Sequence, residues 1–405
     1  MRRGASVLVA AIGVLFLAAT ASAQAPGTPS PRPPIRIGML HEVTGVYTEN
    51  ARDEHDGMKV ALDEVGGEIA GRKIEFMVED TAGDPTTALT KAKKLVESNR
   101  VHALTGVIWS PNAVAIRDYV CNTAKIPYVA SVTAVRMLTQ EARCPYIFRT
   151  SYSSGQEMVP YGKYAYDGYG FRKMAIYAFD SVFGREQADF FKKAYEEAGG
   201  RVVLEIFAPV TTPDHAPYLA QIKAAKVDAV AAWWSGAAAI RFITQFIEYG
   251  LKQDGVRIIG LSSIADESTF PVLRDNVLGV GSVHVYATSL NTPENAKFVA
   301  AYTAKTGREP GIFSELGYTG IRVILEALKA INGDVENVPR FVQALERVRI
   351  TAPRGPFRFD EFHQGVMNIV FKEARKVDGK IVNQVIHTVP NVEQYWPKGK
   401  PAVKQ

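Results

Sequence analysis

From Ile35 onward the apolar positions switch between two spacings. Ile35-Arg-Ile-Gly-Met-Leu is a short β-rich run. Met58, Ala61, Leu62 and Val65 then recur at i, i+3, i+4 and i+7, the stripe of an amphipathic helix, and Gly66-Gly67 stops it. Ile74, Phe76 and Val78 alternate with Lys73, Glu75 and Glu79, as in a half-buried strand. Asp84-Pro85 supplies an N-cap and a first-turn proline for a helix running to about Val96. Strands are predicted near Ala103–Val107 and Pro127–Ala130, with a helix from Pro111 to about Cys121 between them.

The alternation restarts after Arg149. Strands are predicted at Met174–Phe179, Val202–Phe207, Asp228–Trp233, Arg257–Leu261 and Gly281–Tyr286, separated by helices at about 184–198, 217–225 and 237–249. Repeated strand–helix units predict parallel sheets covered by helices on both faces. The order breaks after Tyr286, where helices near 293–306, 313–332 and 338–348 follow one another. A β segment then closes the chain at Phe357–Asp360, Val366–Lys372 and Ile381–His387. Two α/β lobes that exchange late elements account for this ordering. Ligands of such sheets bind at the carboxyl ends of the strands, which here would face each other across a cleft.

The ends change the picture of where such a protein works. Arg2 and Arg3 precede an apolar run from Val7 to Ala19 and then Ala21-Ser22-Ala23, the three parts of a secretory signal with cleavage after Ala23. About 13 apolar residues are too few for a membrane core that needs roughly 20. Residues 24–34 hold five prolines and read as a disordered leader. Removing residues 1–23 takes Arg2 and Arg3 from the 47 basic residues, leaving 45 against 42 acidic ones. So small a surplus predicts no affinity for nucleic acid or membrane. Export also favours a disulfide between the two cysteines, Cys121 and Cys144, over two separate buried thiols. No histidine stands at metal-ligand spacing from them, so a metal site is not expected.

Catalytic signatures are missing. No Gly-x-Gly-x-x-Gly follows a strand, and there is no phosphate loop or Gly-x-Ser-x-Gly elbow. His284, in a predicted strand, and His41, after the first strand, read as structural. An enzyme and a bound cofactor are therefore not expected.

The order of several short motifs carries a resemblance. Ile35-Arg-Ile-Gly with Thr44-Gly45, Glu79-Asp80-Thr81 with Asp84-Pro85, and Thr105-Gly106 come first. Ile126-Pro127-Tyr128, Phe148-Arg149-Thr150, Gly355-Pro356-Phe357 and Phe359-Asp360 follow. With these the chain, from Ile35 to about Val389, resembles the leucine/isoleucine/valine-binding proteins of bacterial ABC importers. The resemblance implies a type I periplasmic binding fold: two doubly wound parallel-sheet lobes joined by a three-strand hinge, crossing near Arg149-Thr150, Tyr286-Ala287 and Arg354-Gly355. Residues 35–150 and 288–354 would form the N-terminal lobe, 151–287 and 355–390 the C-terminal lobe, and 391–405 a tail.

The family's pocket is carried over position by position. Its carboxylate-binding serine falls on Ser110, which also precedes Pro111 where an N-cap would sit, at a helix end suited to anions; a plain capping serine is the alternative. Ser131, through its backbone N–H, and the Thr133 hydroxyl would complete the clamp. Tyr47 and Asn50 would edge the cleft, and Trp109 would touch the body of the ligand. On the second lobe the pattern departs. The acidic residue that pairs with an amino acid's ammonium is replaced by Ser262, and a tyrosine by Phe183. Trp233 and Trp234 precede Ser235, and adjacent strand residues face opposite ways, so at most one tryptophan lines the cleft. A buried ammonium without a counter-charge costs about 3–5 kcal/mol, unless Asp266 or Glu267 bends inward to replace the missing acid.

The expected ligand is thus a small carboxylate, an aromatic or other apolar acid first and a branched-chain amino acid second. Its partners would be the membrane permease subunits of an ABC importer, and the protein a periplasmic monomer. A periplasmic sensor that hands its ligand to a signalling receptor is the alternative of another class.

Overall fold

The computed structural model describes residues 1, 32–140 and 143–394. The chain forms two units, Met1–Arg32 and Pro33–Gln405, and the fold below is that of the second. The signal segment beyond Met1, most of the leader and residues 395–405 lie outside the described residues.

Two sheets organise this unit. The first takes β1 (Ile35–His41), β2 (Glu68–Ile69), β3 (Arg72–Asp80), β4 (Ala103–Gly106), β5 (Tyr128–Ala130) and β6 (Ile147–Arg149), in the order β2-β3-β1-β4-β5-β6. All its pairings are parallel except that of the short β2 with β3. The second takes β7 (Lys173–Phe179), β8 (Arg201–Ala208), β9 (Ala229–Trp233), β10 (Arg257–Leu261) and β11 (Gly281–His284), all parallel. Late strands β12 (Arg349–Ala352), β13 (Gly355–Phe359), β14 (Gly365–Val377) and β15 (Lys380–Val392) add antiparallel pairings, β14 lying beside β11. The expected mixed α/β class with two parallel-dominated sheets is the one observed. The last strand reaches Val392, two residues into the stretch read as a tail.

Helices α1 (Thr48–Glu64), α2 (Pro85–Lys93) and α3 (Ser110–Tyr119) serve the first sheet. Asp84 caps α2 as its sequence predicts, its carboxylate accepting from the Thr87 amide at 2.7 Å. The second sheet carries α4 (Ser154–Asp167), α5 (Val182–Glu197), α6 (Ala216–Ala225), α7 (Gly236–Glu248) and the short α8 (Phe270–Leu273). Then α9 (Pro293–Thr306), α10 (Ile312–Ala330) and α11 (Val338–Glu346) lie between β11 and β12 in sequence. No helix among the described residues is long and apolar enough to cross a membrane.

Helix α4 is absent from the sequence prediction because Gly155, Pro160 and Gly162 weaken its local signal. Tertiary packing supplies the reason for Gly162: a Cβ there would meet the Phe191 carbonyl oxygen of α5 at 2.5 Å. The same logic brings α1 and α10 together. A Cβ on Gly57 would meet the Ser314 oxygen at 1.9 Å, and one on Gly317 the Glu54 oxygen at 2.2 Å. This contact sets the start of α10 beside the carboxyl ends of the first sheet.

Buried side chains pin the segments that follow β6, β11 and β12. Arg354 donates to the Thr150 carbonyl at 3.1 Å and pairs with buried Glu315 of α10. Gln364 donates to the Ser151 carbonyl at 2.7 Å, and buried Lys372 to the Tyr286 carbonyl at 3.0 Å. Cys121 and Cys144 are joined in a disulfide, with their Cα atoms 5.9 Å apart.

Candidate functional site

The carboxyl ends of both sheets meet around one cavity, lined by residues from each. Ser110 enters it at the first residue of α3, one position inside the helix rather than at the N-cap, which is Trp109. Thr133 follows β5, and its Oγ1 donates to Ser110 Oγ at 2.9 Å. Two hydroxyls from different loops therefore face one point, with further capacity to hydrogen-bond a third group.

Behind them stand two buried glutamates. Glu42 accepts from the backbone N–H groups of Ile108 (2.9 Å) and Trp109 (3.2 Å) and from Asn112 Nδ2 (2.8 Å). It thereby occupies the amides just before α3. Burial pushes its carboxyl above the ordinary range, and these donors pull it partly back. Glu54 accepts from Ser131 Oγ at 2.5 Å, and its other oxygen lies 3.3 Å from His41 Nδ1. Burial raises Glu54 to about 8 and lowers His41 to about 4. Both are neutral near pH 7, so this contact is not an ion pair at that pH. His41 also bonds the Ala51 carbonyl and is structural, as expected.

Aromatic rings form one side of the cavity. Tyr47 packs on Trp109 with centroids 5.5 Å apart, Trp109 lies 6.1 Å from Phe179, and Phe179 stacks on Phe183 at 5.8 Å. The Trp109–Phe179 contact joins the segment before α3 to the end of β7 in the other sheet. Ser235 likewise bridges the two sides, its Oγ donating to Asn50 Oδ1 at 3.4 Å. Val132, Leu261, Ile312, Phe313 and Leu316 complete the apolar walls. Among the described residues lining the cavity there is no lysine, arginine, aspartate or glutamate.

Of the residues singled out from sequence, Ser110, Thr133, Trp109, Tyr47, Phe183 and Ser235 reach the cavity. Four do not line it. Ser131 turns its hydroxyl to Glu54, and Asn50 lies outside it, against Ser235. Trp234 is buried in the second sheet's packing, 5.0 Å from Tyr177 and 4.8 Å from His215, while Trp233 packs on Phe191, so neither tryptophan lines the cleft. Ser262 begins a single 3₁₀ turn and donates back to the Val283 carbonyl, so its neighbour Ser263 faces the cavity instead. Neither acid replaces the missing one. Asp266 accepts from the Ile312 amide at the start of α10, and Glu267 is buried away from this cavity.

Sequence reasoning missed several lining residues, Tyr152, Phe313 and His284 among them. Tyr152 follows β6 where the chain leaves the first sheet, and Phe313 starts α10. His284 was read as structural, yet it ends β11 on the cavity wall. Strand alternation shows that a side chain leaves one face, not that the face opens on a cavity.

The periplasmic binding protein family matches residues 34–379. The chain belongs to that family. Its fold is shared with an ABC transporter substrate-binding protein from Sphaerobacter thermophilus, 38% identical, covering 90% of this chain and 99% of the other with a TM-score of 0.84. A solute-binding protein of an ABC transporter from Rhodopseudomonas palustris, solved with 3,4-dihydroxybenzoic acid, is 29% identical over 89% of this chain and 98% of its own, with a TM-score of 0.84. The Leu/Ile/Val-binding protein homolog 6 of Brucella melitensis is 28% identical over 91% of this chain and 94% of its own length. The resemblance seen in the motifs thus holds along the chain. This is a substrate-binding protein of the ABC-transporter, branched-chain amino acid type, and not an enzyme.

Proposed function

We propose that the protein captures a small aromatic or apolar carboxylate in this cavity and delivers it to a membrane permease, working in the periplasm after its signal segment is removed. One observation carries the reading: the cavity pairs the Ser110 and Thr133 hydroxyls with aromatic and aliphatic walls, and no acidic side chain among the described residues lines it. The hydroxyls suit a carboxylate, whereas a free ammonium would be buried without a counter-charge at a cost of about 3–5 kcal/mol. The likeness to a protein solved with a dihydroxybenzoic acid points the same way.

In this reading the carboxylate docks first on the loops of the first sheet. The Trp109–Phe179 and Ser235–Asn50 contacts, made between segments attached to the two sheets, then favour the closed arrangement that holds the ligand. Calorimetry on residues 24–405 with benzoate, phenylpropenoate and leucine decides the matter. The expected result is saturable binding of an aromatic acid in the micromolar range or tighter. Micromolar leucine binding with no response to the aromatic acids would instead establish the branched-chain amino acid reading, which the Brucella relative's name favours.

A further inference from the structure

Resting on the carboxylate reading above, the cavity wall carries a further polar pair that the reading does not use. Tyr152 and His284 sit there, at the two places where the chain leaves the ends of β6 and β11. Their rings meet edge to face with centroids 5.0 Å apart. His284 is only 1% exposed, yet it lines the cavity and its Nδ1 has no hydrogen-bond partner among the described residues. Tyr152 is likewise buried and lines the same space. A buried polar group left unpaired costs about 1–3 kcal/mol, so an unpartnered imidazole on a residue that lines a cavity is a candidate partner for a ligand atom.

The chemistry of that atom follows from the pair. A neutral imidazole offers one donor and one acceptor, and a tyrosine hydroxyl offers the same. Burial, with buried Lys372 and Arg354 nearby, holds His284 well below its ordinary range and so keeps the ring neutral. Both of those cations are already engaged, Lys372 on the Tyr286 carbonyl and Arg354 on Glu315 and the Thr150 carbonyl. A ligand group that both donates and accepts, a hydroxyl, satisfies such a pair. In the reading above the ligand's carboxylate is taken up by the Ser110 and Thr133 hydroxyls, which leaves this pair for a neutral polar group of the ligand.

We propose that Tyr152 and His284 form a neutral subsite that receives a ring hydroxyl of the bound aromatic acid, making phenolic carboxylates the preferred ligand class. The remaining walls are apolar, as a ring requires. Ser263, whose hydroxyl donates to the Trp234 carbonyl, keeps acceptor capacity on the cavity wall.

The test compares matched pairs, benzoate with 4-hydroxybenzoate and phenylpropenoate with its 4-hydroxy form, by calorimetry on the mature protein. A site built to bond a hydroxyl discriminates against the analogue lacking it. Wild-type protein is expected to prefer the hydroxylated member of at least one pair by about tenfold or more. In Tyr152→Phe, which removes one oxygen only, and in His284→Leu, that ratio should fall towards one. An equal loss for both members of each pair, or a ratio unchanged in Tyr152→Phe while both acids bind, overturns the subsite and leaves the carboxylate reading standing. Failure of wild-type protein to bind any of the four acids overturns the carboxylate reading itself.

Discussion

The Ser131 hydroxyl donates to the buried carboxyl of Glu54 across 2.5 Å. The loop that carries Thr133 into the cavity is therefore anchored from behind by a residue of α1. Since Gly317 of α10 packs against the Glu54 backbone, one small region ties the carboxylate-facing loop to the helix that forms the cavity's apolar wall.

This anchor makes stability depend on pH. Glu54 holds its proton up to about 8 in the folded protein, against an ordinary 4.5. Between those values the folded state binds a proton that the unfolded chain has lost, so stability falls as pH rises through that window and levels off above it. Glu54→Gln is neutral throughout. Its Tm relative to wild type should climb between about pH 5 and about pH 9, as thermal melts across the range will show. A constant difference would exclude a neutral carboxyl at this position.

The hydroxyl pair should dominate affinity. Replacing both Ser110 and Thr133 by alanine removes two hydrogen bonds to a charged group, each worth about 1.5–3 kcal/mol. Binding of the preferred acid should weaken by more than roughly tenfold, with far-UV circular dichroism and Tm close to wild type. Unchanged affinity in that variant would remove the carboxylate assignment.

Ser262 and Ser263 should separate stability from binding. Ser262→Ala loses a buried bond to the Val283 carbonyl, a cost of about 1 kcal/mol read as a lower urea midpoint. Its ligand affinity should match wild type. Ser263→Ala should change affinity instead, because that side chain lies on the cavity wall. The reverse pattern would show that the turn after β10 is set one residue differently.

Arg354 and Glu315 are both fully buried and paired. Arg354→Met leaves the carboxylate without its partner, at an expected cost of about 3–5 kcal/mol. Adding Glu315→Leu should recover most of that loss in chemical denaturation. If the double variant is no more stable than the single one, the arginine acts chiefly through the Thr150 carbonyl.

The disulfide spans 23 positions, a loop whose opening costs about 3 kcal/mol in the chain-entropy account. Cys121→Ser with Cys144→Ser should unfold at a correspondingly lower urea midpoint, with m-value compared to detect any change in the denatured state.

Much of the architecture was legible. The strand–helix alternation located β7 to β11 within a residue or two, and Asp84-Pro85 marked its helix start. Helix α4 was not legible, because the small residues that let it lie against α5 are the same residues that erase its helical signal. Within the site, Ser110, Thr133 and Trp109 could be named because each follows a strand end at a spacing the family motifs set. Trp234 and Ser262 share such spacings but face away from the cavity, and spacing does not report side-chain direction.

Sequence alone determined the class of fold, the pairing of the two cysteines as the favoured one, and the lack of an acid where an amino acid's ammonium would sit. Those are properties of local pattern and of residue identity. The tertiary structure decided what the cavity contains. Tyr152, His284, Ser263 and Phe313 come from four segments far apart in the chain, and only the packing of α10 on α1 and of both sheets around one cleft brings them to a common space. Whether a buried polar side chain is satisfied depends on neighbours hundreds of residues away, so the unpartnered nitrogen of His284 could not be read from the chain.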